Sequence, residues 1–126
     1  MPSTYAHYRM GQEVIKQVSS PARNIIMKHK QLYDIGLHGP DILFYYHPLV
    51  TNPVNAIGYG LHERSGKYFF AKAAEIIEKV SNKEAALAYI YGFICHFALD
   101  STCHGYIDEK IARSGVSHTE IEVEFD

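Results

Sequence analysis

Three spacings in this chain put metal-type ligands on common helical faces. His96 and Asp100 stand four residues apart, His118 and Glu122 repeat that interval, and His104 lies four residues beyond Asp100. Residues at i and i+4 of an α-helix are neighbours, so each pair can offer an imidazole and a carboxylate to one cation. His96 and His104 would be about 12 Å apart along the axis, too far to share an ion comfortably. Asp100 has two oxygens and can serve one metal or bridge two. His104 with His118 and Glu122 would make a three-ligand zinc site with a position open for water. The residues around His96 are apolar (Tyr91, Phe93, Ile94, Phe97, Leu99), and no Lys or Arg occurs between Lys83 and Lys110. Buried imidazoles and carboxylates need a compensating charge, which a metal cation supplies. One such pair alone is ordinarily a surface ion pair or a satisfied core histidine. Two pairs in successive helices, with a third histidine in phase, favour the metal.

Other histidines join the candidates, since eight occur in 126 residues. His7 sits among Tyr5, Ala6 and Tyr8. His38-Gly-Pro-Asp41 is a tight turn presenting a carboxylate, which could alternatively cap a helix from residue 42 onward. His62 follows Gly58-Tyr-Gly-Leu61, where small residues permit close helix approach. His29 and His47 are the least committed.

The elements that must hold these residues read almost entirely as helix. Ser3 or Thr4 caps a first helix to about residue 17, and Ser20-Pro21 opens a second that runs to residues 35–36. Residues 36–41 are a turn, because two glycines and a proline interrupt the pattern. Residues 42–53 predict a short helix and an irregular connection, in which Phe44-Tyr45-Tyr46 read chiefly as core and alternatively as a lipid pocket or a base-stacking surface. Helices follow over 54–64, 66–80 and 83 to about 113. The last of these has the clearest buried stripe: Leu87, Ile90, Tyr91, Ile94, Cys95, Ala98 and Leu99. Ser117 with Glu120 forms a capping box for a final helix. That helix has barely begun at Asp126, so the expectation is a fragment or processed chain lacking C-terminal helices. The fold class is all-α, a single-domain helical bundle around a multinuclear metal site.

Composition agrees with one such domain. The chain is 47% hydrophobic and 21% charged, which excludes disorder. Twelve basic residues face fourteen acidic ones with no basic run, which argues against capture of duplex nucleic acid. Cys95 and Cys103, about 12 Å apart on one helix, are too distant for a disulfide and read as small buried apolar residues. With no signal peptide and no apolar stretch approaching ~18 residues, the expectation is a cytoplasmic, soluble protein without a transmembrane segment.

The ordered set His7, Asp41, His62, His96-x3-Asp100, His104, His118-x3-Glu122 resembles the zinc-dependent phospholipase C family, itself similar to the single-strand-specific zinc nucleases. The strings Gly92-Phe-Ile-Cys-His96-Phe-Ala-Leu-Asp100-Ser-Thr-Cys-His104 and Ser3-Thr-Tyr-Ala-His7 look like a bacterial branch of it. The resemblance implies a helical fold with two to three Zn2+ ions. Carried over by position, it implies one ion on His62, His96 and Asp100, and a second on His104, His118 and Glu122. A third would rest on His7, bridging Asp100 and the N-terminus. Asp41 would match an acidic ligand that also serves as general base. The interval between Asp100 and His104 is shorter than the family's usual one, and trimming of Met1 would expose Pro2 where secreted members expose tryptophan.

Clustered zinc lowers the pKa of bound water to about 7 and neutralises charge on a phosphodiester. The reading is therefore a phospholipase C-like phosphodiesterase, with metal-bound hydroxide attacking phosphorus and Asp41 taking the proton, on a small-molecule or lipid substrate. Two alternatives use the same residues: a metal-dependent nuclease or nucleotidase, and a non-catalytic domain that zinc only staples together.

Overall fold

The computed structural model describes residues 3–47, 49, 52–63 and 66–114, with backbone only for 59, 62, 63 and 104–114. Helices account for nearly all of them: α1 (Thr4–Gln17), α2 (Ser20–Lys28), α3 (Lys30–Gly36), a 3-10 helix (Gly39–Tyr45), α4 (Pro53–Glu63), α5 (Gly66–Ile77) and α6 (Lys83–Ser114). No strand occurs among the described residues, and the fold is all-α. The capping box at Ser117 and the helix expected after it lie outside the described residues.

Local chemistry sets most helix boundaries. Ser3 Oγ accepts the Ala6 N–H at 3.3 Å, satisfying one of the free donors at the start of α1. At the other end of α1, Arg23 reaches back from α2 to donate to the carbonyls of Ile15, Lys16 and Val18. Pro21 sits in the first turn of α2, where a missing N–H costs nothing. One expectation needs correcting here. The second helix does not run unbroken to Gly36, because His29 adopts φ −124° and ψ 46° and divides it into α2 and α3. No glycine or proline marks that break. Its consequence is a separate α3, which makes the most extensive helix–helix contact in the molecule, against α6.

That contact is close because both helices carry a glycine at it. A methyl on Gly36 would meet the backbone carbonyl of Tyr89, and one on Gly92 would meet that of Tyr33. The core that results holds Ile26, Tyr33, Leu37 and Cys95, with Val14, Ile15, Val18 and Tyr91 packed around it. Tyr33 is fully buried. Its hydroxyl donates to the Gly11 carbonyl at 2.8 Å, so its one polar group is satisfied. The stripe on α6 is partly redrawn: Ile94 faces outward, while Ala88, Gly92, Phe93, Cys95 and His96 are buried. On α1, Tyr5 and Tyr8 are exposed, and His7 and Gly11 face inward. Cys95 and Cys103 are free and buried, as their spacing required. No helix among the described residues is long and apolar enough to cross a membrane.

Candidate metal centre

The inward faces of α1 and α6 meet at two histidines. His7 and His96 are each only 2% exposed. Their rings stack with centroids 3.9 Å apart and planes 14° from parallel. Asp100, one turn beyond His96, is shared between them: Oδ1 lies 3.0 Å from His7 Nε2 and Oδ2 lies 3.1 Å from His96 Nε2. Asp41, from the 3-10 helix, brings its Oδ2 to 3.7 Å from His96 Nε2. Four side chains from three elements thus converge, and His7, Asp41 and His96 offer ligand atoms all within 4.8 Å of one another.

His96 is held in one orientation by the backbone. A carbonyl can only accept, so the 2.9 Å contact of its Nδ1 with Leu37 O is an N–H donation. That leaves the Nε2 electron pair directed at the two carboxylates, an arrangement that a proton or a metal ion makes favourable. Gly39 sets the approach. It has a φ of +53°, and a side chain there would run into the His96 ring.

Several atoms at this point lack aligned hydrogen bonds. His7 Nδ1 and Nε2, His96 Nε2 and Asp100 Oδ1 are buried without one, despite the short separations. Buried polar atoms are ordinarily satisfied, so a cluster of four calls for a ligand. Electrostatics points the same way. Burial works against the charge on His96, but close contact with Asp100, the field of Asp41 and the Leu37 carbonyl together raise its pKa above 6.5. Burial would likewise raise Asp100, yet both imidazoles hold its carboxyl well below the usual carboxylate range. In the metal-free chain this field favours a proton on His96 where a cation would otherwise sit.

A model of the family described as zinc-dependent phospholipase C matches residues 6–126, essentially the whole chain. The chain belongs to that family. No curated protein and no solved structure matches it significantly. For a zinc-dependent phospholipase C the donor set fits. Imidazole nitrogen and carboxylate oxygen are normal zinc ligands at about 2.0–2.2 Å, which puts tetrahedral donors about 3.4 Å apart. The separations of 3.0, 3.1 and 3.7 Å straddle that value.

Of the residues marked in the sequence, His7, Asp41, His96 and Asp100 are brought together. His62 lies on α4 and His104 on α6, with side chains outside the described set; His118 and Glu122 lie outside the described residues. Asp41 does not cap the 3-10 helix: it is inside it, and His38 is the residue before the first turn. Leu37 and Gly39 were not marked as site residues. Of the two, only the Gly-Pro turn left a sequence signal, because a backbone carbonyl carries no residue-type signature.

Proposed function

We propose that this chain is a zinc-dependent phosphodiester hydrolase acting on a phospholipid, with His7, His96, Asp100 and Asp41 as the described part of its metal centre. The observation that carries this is the shared carboxylate: one aspartate lies 3.0 and 3.1 Å from two buried, stacked imidazoles without an aligned hydrogen bond to either. A solvated ion pair does not need such burial, and a structural histidine would find an ordinary partner.

Each group has a role that its position supports. Asp100, with one oxygen near each imidazole, would be the bridging ligand. His7 and His96 supply one nitrogen each, and the Leu37 carbonyl keeps His96 in the tautomer that a metal requires. By the family resemblance, His62, His104, His118 and Glu122 would complete the ligands for two to three ions. Zinc, when bound, supplies positive charge for the phosphate oxygens and acidifies water near neutral pH. Asp41 lies 3.7 Å from His96 Nε2 where Asp100 lies 3.1 Å away, so it is the carboxylate held less closely by that imidazole and the one suited to accept the proton of the attacking water.

The test is elemental analysis of the purified chain, followed by hydrolysis of phosphatidylcholine with product identification. Two to three zinc ions per chain, lost in Asp100→Asn, with release of a phosphorylated head group are expected. A chain that binds zinc tightly yet cleaves no phosphodiester would leave the zinc as a staple only.

A further inference from the structure

Residues 42–62 contain no Asp, Glu, Lys or Arg, in a chain where such residues make up 21%. A charge-free tract of that length normally belongs in a core. Here much of it faces outward. Tyr45 and Tyr46 are 61% and 51% exposed, Leu49 is 97% exposed, and Ile57 on α4 is 58% exposed. Tyr45 and Tyr46 are therefore not the core residues that composition suggested, while Phe44 is half-buried.

The tract is nonetheless a built feature. The 3-10 helix packs on α4, with Phe44 closely approached at Gly58. Between the two helices, Asn52 donates to the carbonyls of Tyr46 and His47, and its own oxygen receives the N–H of Asn55. Of the side chains that project here, Tyr45, Tyr46, Leu49 and Ile57 are phenolic or aliphatic, and His47 is the one imidazole among the described residues of 42–57. Apolar and tyrosine-bearing is the chemistry of a surface that sits between water and hydrocarbon. The tract also begins where the metal centre ends: Asp41 immediately precedes Ile42 in the same 3-10 helix.

We propose that the exposed side chains of Tyr45, Tyr46, Leu49 and Ile57 dock on a net-neutral, zwitterionic lipid surface and present the metal centre to it. Charge complementarity selects this occupant. A face without Lys or Arg gains little from anionic lipid, and one without Asp or Glu is not repelled by any head group. Leu49 and Ile57 enter the interface as aliphatic anchors, and the tyrosines sit at head-group level. The proposal rests on the phospholipid reading of the site, because it supplies that site with a substrate that stays in its bilayer.

Vesicle sedimentation with the full chain tests it, using pure phosphatidylcholine vesicles at about 0.1 M and about 0.5 M salt. Wild type is expected to sediment equally at both, and Leu49→Asp and Leu49→Asn to partition at least roughly tenfold more weakly. Both variants should keep their zinc and their turnover of a water-soluble phosphodiester, which shows that they fold. Asp100→Asn should lose zinc and still bind vesicles. Binding of vesicles without lipid hydrolysis would sustain the docking face and overturn the hydrolase reading. Turnover of the soluble ester without wild-type vesicle binding would overturn the face alone. Steep loss with salt, equal binding by the Leu49 variants, or a solution dimer that Leu49→Asp splits would each overturn it as well.

Discussion

Gly39→Ala probes whether the turn before Asp41 is what aims His96. Gly39 has a φ of +53°, and a methyl there would lie 2.5 Å from Cγ and 2.8 Å from Nε2 of His96. Carbon contacts are comfortable at about 3.5 Å, so the ring would have to retreat by roughly 0.7–1 Å. It has little room to do so, with the His7 ring 3.9 Å away on one face and its Nδ1 bonded to Leu37 O at 2.9 Å. A left-handed alanine costs about 1–2 kcal/mol, and overpacking a buried ring adds roughly 1–3 kcal/mol. The expected loss is therefore about 2–5 kcal/mol in urea denaturation of the metal-free chain. Displacing a ligand on this scale should weaken zinc binding by about 10–100-fold, read by competition with a chelating dye. Gly60→Ala is the control: nothing lies within 4 Å of its Cβ, and in the interior of α4 alanine should add about 0.5–1 kcal/mol. If Gly39→Ala loses stability but binds zinc within about twofold of wild type, the turn does not position His96. If neither quantity moves, the contact itself is wrong.

Three further outcomes follow from the same geometry. Gly92→Ala should cost about 3 kcal/mol or more, because its methyl meets backbone of α3 and not a movable side chain; thermal unfolding beside wild type checks this. Tyr33→Phe removes the donor to Gly11 O and should cost about 1–2 kcal/mol while leaving zinc content unchanged; a loss of zinc would mean that this buried bond also supports the metal centre. The third concerns pH. The raised pKa of His96 gives stability that is complete below 6.5 and disappears as pH rises through the folded-state value. The depressed pKa of Asp100 gives stability present above 3.8 and lost only as pH falls through its folded-state value. With chelator, stability should thus peak between those limits and decline toward alkaline pH. Added zinc, competing for the His96 proton, should stabilise more as pH rises. Urea midpoints at about pH 5.5 and about pH 8.5, with and without zinc, should diverge; parallel curves would refute the shared site.

Helical fold class and the His96–Asp100 pair of the candidate site were legible in the sequence because both depend on local periodicity. His96 and Asp100 are four residues apart on a helix whose apolar neighbours bury them, and no tertiary information is needed to see that they share a face. Ser3 as a cap and the free cysteines were legible for the same reason. His7 and Asp41 were marked by residue type and by order along the chain. Their meeting with His96 depends on α1 and the 3-10 helix crossing α6, and periodicity carries no record of which helices cross. The break at His29 was invisible because no residue there disfavours helix. Only the packing of α3 on α6, through Gly36 and Gly92, requires it. The same holds for the Leu37 carbonyl, which any residue could supply, and for the exposure of Tyr45, Tyr46, Leu49 and Ile57. An uncharged tract has one composition whether it lies in a core or on a surface, and only the arrangement of the other helices decides which side of it meets water.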